Sequence, residues 1–125
     1  MKYLGIDFGS KRIGLALSDP AGRIAFPRDV VGNEGDKTLN YVVELCQREE
    51  VDEIVLGESL DYKGQPNPIQ AKIENWKTKL ESLSDLPVHF ERETLTSAEA
   101  ARNTGKEMLD ASAAALILQA YLDKL

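Results

Sequence analysis

A chain of 125 residues, 42% hydrophobic and 29% charged, has the size and usage of one globular domain spanning 1–125, with no room for a second. No apolar run is long enough to cross a bilayer, and an acidic residue arrives too early in MKYLGIDFGSK for a signal peptide, so a cytoplasmic protein with no membrane partner is expected. The net charge of −6 excludes gripping nucleic acid by bulk basic charge, so phosphate contact must be local, helped by divalent ions that reverse the sign of an acidic pocket.

Lys2 to Phe8 reads as a buried strand, the turn GSKR follows, and Ile13 to Leu17 reads as a second strand ending at Asp19, Pro20, Ala21 and Gly22. A third strand runs from Arg23 towards Val31, where Pro27 marks an edge position or a bulge. From Asp36 to about Glu49, Leu39, Val42, Val43 and Cys46 recur at helical spacing, and EIVLG at Glu53 to Gly57 is a short apolar run typical of a central parallel strand. The single cysteine, Cys46, falls in that apolar stripe and reads as core. After the loop ESLDYKGQ, a helix starts at Pro66 or Pro68 with Asn67 as its cap, and Ile69, Ile73, Trp76, Leu80 and Leu83 share one face. Pro87 to Glu91 is a fifth strand, Thr96 and Glu99 make a capping box for a short helix, and Asp110 opens a last helix through Leu122. His89 alternates with apolar neighbours and reads as a satisfied strand histidine, while the run Ala113, Ala114, Ala115 lets the last helix approach the sheet closely.

Three hairpin-linked strands followed by two crossover strands make an α/β fold with a five-stranded mixed sheet flanked by helices, the RNase H-like layout. Asp7 ends the first strand inside an apolar run, with Gly9 behind it to allow close approach, and Lys11 and Arg12 follow in the turn. A turn-forming aspartate and solubilising charges are the plain alternative; the functional reading is a metal ligand beside two phosphate contacts.

The segments DFGSKRIGLA, EIVLG, KGQPNP, ETLTSAEA and LDASAAALILQAYL, in this order over nearly the whole chain, resemble the YqgF family. The resemblance implies a nuclease of the RNase H-like superfamily acting on structured nucleic acid: processing of the 5′ end of pre-16S ribosomal RNA or, by fold similarity, resolution of Holliday junctions. It implies Mg²⁺ or Mn²⁺ as cofactor. Such ions take carboxylate oxygens, bridge the scissile phosphate and activate water, so acidic residues distant in sequence must converge. The resemblance gives that role to Asp110, which capping alone would also explain, and to Glu93. Glu93 stands in RET where the family has Asp-Glu-Arg, so Arg92 is placed to pair with Glu93 or to meet a phosphate. Glu58 follows the EIVLG glycine where the family has Leu-Pro, and is a candidate to complement or replace Glu93; Asp61 is weaker. Arg102 and Lys106, in a segment shorter than is usual in the family, are minor phosphate candidates, and Tyr62 is the better base-stacking candidate than Trp76.

Two other readings use the same residues. The altered RET motif and acidic charge fit a catalytically weak nucleic-acid-binding factor of ribosome assembly. DFGSKRIG also resembles a phosphate loop of the actin and sugar-kinase fold, which needs two domains facing a nucleotide cleft where this chain supplies one.

Overall fold

The computed structural model describes residues 1–58, 69–92 and 106–125, with side chains from 111 onward in the last segment. Five strands, β1 (Tyr3–Phe8), β2 (Arg12–Ser18), β3 (Ala25–Gly32), β4 (Glu53–Glu58) and β5 (Val88–Arg92), form one sheet in the order β3-β2-β1-β4-β5. β1 to β3 are an antiparallel meander, and β4 and β5 pair parallel to β1 and to each other, as the sequence predicts. The described helices are α1 (Asp36–Arg48), α2 (Gln70–Ser84) and α3 (Lys106–Leu122).

The period-two alternation of the strands feeds two cores. Leu4, Ile6, Phe8, Ile54 and Leu56 enter a core closed by α1 and α2, while Tyr3, Ala16 and Val55 meet Ala114, Ile117, Leu118 and Leu122 of α3. A sheet covered on both faces has a wholly apolar β4 interior, which is why EIVLG reads as a run and not as an alternation. β3 is one edge of the sheet and β5 the other. The register of β3 slips opposite Leu15 and Ala16, next to Pro27, so the residue without an N–H costs no ladder bond to a neighbouring strand.

α1 buries Leu39, Val42, Leu45 and Cys46 and is entered through Gly35 at φ 66, a left-handed conformation that suits glycine. α2 buries Ile73, Trp76 and Leu80; Leu83, expected on the same face, is 53% exposed because the helix ends one residue later, at the rim. Asp85 caps α2 in the left-handed region. Pro87, two residues on, then leads into β5.

The last helix departs from expectation. The backbone is already helical at Lys106, so Asp110 lies inside α3 and not at its cap. Lys, Glu, Met and Leu at 106–109 are strong helix formers and carry the helix through the segment read as a connection. The expected capping-box helix at Thr96 and Glu99, and the Pro66 to Pro68 helix start, lie outside the described residues. Among the described residues no helix is long and apolar enough to cross a membrane.

Candidate functional site

The carboxyl ends of β1, β4 and β5 lie on one edge of the sheet, where open α/β sheets bind ligands. α1 starts at this edge directly after β3, and α2 returns from it, since its last residue is followed closely by the start of β5. Asp7 stands one residue from the end of β1 and is half-buried. Leu4, Ile6 and Phe8 point to the α1/α2 side, so the pleat turns Tyr3, Gly5 and Asp7 to the α3 side.

α3 runs back along β1. The Tyr121 ring lies 6.0 Å from that of Tyr3, and Leu118 and Ala114 sit over Gly5. Two strand residues advance about 6.6 Å and one helical turn about 5.4 Å, so the next turn of α3, with Ala111 and Asp110, comes level with Asp7. Ala111 is buried, in keeping with close packing there. The side chains of Asp110 and Lys106 lie outside the described residues.

β4 brings a glycine to the same place. Tyr3 to Ile6 pair with Glu53 to Leu56, and the same offset continued by one residue sets Gly57 beside Asp7, with no side chain to fill the space. Gly57 in turn pairs with Glu91 of β5. Glu91, which sequence reasoning did not single out, is 7% exposed, and both its oxygens accept from Lys124 Nζ, at 2.8 and 2.7 Å. Its signal in the sequence was a strand position of the same parity as His89. Arg92 is exposed and ends β5, so the chain passes to Glu93 at this edge; Glu93 itself, like Asp61, Tyr62 and Arg102, lies outside the described residues.

Glu58 reaches the same edge but the other face. It shares the parity of Ile54 and Leu56 and pairs with Arg92 across β4 and β5. The backbone thus brings Asp7 and Asp110 to one side of the sheet and leaves Glu58 on the other. Lys11 is exposed and Arg12 half-buried, in the turn that follows Asp7. That turn is tight: Gly9 N–H donates to Arg12 O at 2.9 Å, and a Cβ on Gly9 would stand 2.5 Å from the same oxygen. Gly9 is therefore needed for backbone approach.

Other conspicuous residues are structural. His89 is paired with Glu53 at 2.5 Å and stacks on Tyr121 at 5.4 Å, as expected of a satisfied strand histidine. Trp76 is 6% exposed and packs on Phe8 with ring centroids 5.3 Å apart, which rules it out as a stacking platform for bases. Burial pushes the Cys46 thiol up to about 12, leaving it protonated and inert at neutral pH. Among the described residues no three acidic, histidine or cysteine side chains form a metal-binding group; Glu93 and the Asp110 side chain lie outside them. The donor chemistry of Asp7, Glu93 and Asp110, oxygen-only and anionic, suits a hard divalent cation.

Comparison with known proteins identifies the family and the fold. The family model described as RuvX, Holliday junction resolvase, matches residues 1–124. A relative from Syntrophomonas wolfei is 38% identical over 133 residues, covering 98% of this chain and 94% of its own. One from Dictyoglomus turgidum is 37% identical over 136 residues, covering 100% and 96%. Both bear the name "Putative pre-16S rRNA nuclease". Among solved structures, Thermus thermophilus RuvC in complex with a Holliday junction substrate superposes with a TM-score of 0.66 at 15% identity, over 99% of this chain and 95% of that one. A ROK hexokinase from Thermus thermophilus reaches 0.50 at 24% identity, but over 84% of this chain and only 39% of that one. The two structural likenesses show the fold. Matched by the family model over residues 1–124 and by relatives across nearly its full length, the chain belongs to the RuvX (YqgF) family of phosphodiester-hydrolysing nucleases.

Proposed function

We propose that the chain is a Mg²⁺- or Mn²⁺-dependent endonuclease of structured RNA that processes the 5′ end of pre-16S ribosomal RNA in the cytoplasm. The observation that supports the reading is that Asp7 and the end of β5 lie at one edge of the sheet, with the turn of α3 that bears Asp110 level with Asp7. The names of the relatives supply the RNA.

In this reading Asp7, Glu93 and Asp110 hold the metal, and Gly57 leaves room for it beside Asp7. A bound divalent ion offsets the charge of the scissile phosphate and makes a water nucleophilic near neutral pH. Lys11 and Arg12 from the β1-β2 turn and Lys106 at the start of α3 contact flanking phosphates; Arg92, which pairs with Glu58 and shares its face, stands apart from them. These local cations answer the objection of a net charge of −6, because they stand around the acidic centre and not across the surface. Glu58 faces away and takes no part.

A second reading, cleavage of four-way DNA junctions, is favoured by the description of the family. Both share one site and one chemistry, so one set of proteins tests them. The experiment is Mn²⁺ titration calorimetry on the parent and on Asp7→Asn, Glu93→Gln and Asp110→Asn, with cleavage assays on a pre-16S fragment and a four-way junction. Loss of Mn²⁺ binding and cleavage in all three variants is expected, with the RNA cut in preference. A parent that binds either nucleic acid but cleaves neither, unaffected by Asp7→Asn, leaves only a binding factor of ribosome assembly.

A further inference from the structure

The β1-β2 turn that follows Asp7 is held from outside the hairpin. Asn33, in the connection between β3 and α1, donates its side-chain Nδ2 to Gly9 O at 2.9 Å and its backbone N–H to Lys11 O at 2.9 Å. Its own loop is braced in turn by α1: the buried Thr38 hydroxyl donates to Gly32 O at 2.6 Å and accepts from Glu34 N–H at 2.8 Å. α1 thus fixes the chain on both sides of Asn33, and Asn33 itself bonds the turn that carries Lys11 and Arg12.

The backbone contact from Asn33 extends the β2-β3 ladder by one bond and any residue there would make it. The side-chain contact is different. A peptide group is planar, so fixing the Gly9 carbonyl on Asn33 fixes the Gly9–Ser10 peptide plane and sends the Ser10 N–H to the opposite side. With Gly9 N–H already on Arg12 O, both polar groups of Gly9 are committed, and the turn has one shape in which to present Lys11. A long lysine on a turn of undefined course loses contact geometry; on a fixed turn it loses less entropy on meeting a phosphate.

We infer that Asn33 is a positioning residue for substrate, holding the Gly9 to Arg12 turn so that Lys11 and Arg12 meet a backbone phosphate of the nucleic acid. The inference rests on the proposed nuclease site for its substrate, but not on cleavage. Among the described residues the Asn33 side chain bonds only Gly9 and Gly35, and it acts through the turn.

The test is binding, measured by fluorescence anisotropy in Ca²⁺ with a fluorescein-labelled RNA stem-loop and a labelled four-way DNA junction. Removing one such hydrogen bond is expected to raise Kd about 3- to 10-fold in Asn33→Ala. Asn33→Asp keeps the acceptor for Gly35 N–H but has no donor for Gly9 O, and should match the alanine variant. Mn²⁺ affinity should stay within about 2-fold of the parent, since Asp7 is untouched. Because Asn33 acts through Lys11, Asn33→Ala added to Lys11→Ala should weaken binding little further. Unchanged Kd in both Asn33 variants, full additivity with Lys11→Ala, or a parallel fall in Mn²⁺ affinity would overturn the inference, as would a parent that binds neither probe. A parent that binds but never cleaves sinks the nuclease reading while this inference still stands or falls on the Asn33 result.

Discussion

Gly5 of β1 and Leu118 of α3 are packed so closely that a Cβ on the glycine would stand 2.7 Å from the Cβ of Leu118 and 2.9 Å from the Ala114 carbonyl. Neither obstacle is the end of a flexible side chain, so the helix must move if the glycine is changed. Overpacking of this kind costs about 1–3 kcal/mol. The shift also separates the two elements that carry Asp7 and Asp110. Gly5→Ala is therefore expected to lower both Tm and Mn²⁺ affinity, read by thermal melting and calorimetry on one sample. A lower Tm with full Mn²⁺ affinity would mean that the start of α3 is placed by contacts other than this one.

Glu58 and Asp7 occupy the same edge on opposite faces of the sheet. A ligand cannot be shared across a sheet, because the backbone and the side chains of both cores lie between. Glu58→Gln should leave Mn²⁺ affinity and cleavage rate within about 3-fold of the parent, the scatter of ordinary surface changes. Asp7→Asn should abolish both. A Glu58→Gln variant that loses Mn²⁺ binding would require the end of β4 to turn over in the active state.

The comparison of these two carboxylates shows what a sequence yields. Asp7 stands out in the sequence as a candidate because a charged residue inside an apolar strand, followed closely by a glycine, conflicts with simple burial. The face of Glu58 was not, because parity is fixed only when register with β1 and the assignment of each core to its helices are known. The meander, the crossovers and both buried helix faces followed from period and turn chemistry. The start of α3 did not, since an aspartate suits both a cap and an interior turn when strong helix formers precede it. The role of Asn33 is hidden for a related reason: an asparagine in Gly-Asn-Glu-Gly reads as a turn residue, and nothing local reveals that its amide reaches a carbonyl 24 residues away. Glu91 was hidden by its partner, Lys124, 33 residues on.

The turn between β2 and β3 carries its own titration. One Asp19 carboxylate oxygen accepts from Arg23 N–H at 2.7 Å and Ile24 N–H at 2.9 Å, and these backbone bonds, that of Ile24 first, hold its carboxyl below the ordinary value of 3.8. A carboxyl depressed in the folded state stabilises that state above the ordinary pKa and loses the effect as pH falls through the folded value. Asp19→Asn keeps an acceptor and removes the charge. Its Tm should lie below that of the parent at pH 6, and the gap should close as pH is lowered from about 4 towards 2. A gap independent of pH would show that shape, and not charge, is what the turn needs.

Glu91 and Lys124 form a pair of unequal partners, with side chains 8% and 65% exposed. Removing either is therefore not equivalent. In Glu91→Gln the lysine returns to water at little cost, whereas Lys124→Ala leaves a carboxylate with little solvent and no cation. The unpaired buried acceptor costs about 1–3 kcal/mol, so Lys124→Ala should be clearly less stable than Glu91→Gln, and adding Glu91→Gln to it should restore most of the loss. Glu91 is level with Asp7 but separated from it by Gly57, and its charge is already matched by Lys124. Glu91→Gln is accordingly expected to keep Mn²⁺ affinity within about 3-fold of the parent, as sites without a shared partner do. A large loss of Mn²⁺ binding in that variant, with stability intact, would instead make Glu91 a ligand and Lys124 the cation that the metal displaces.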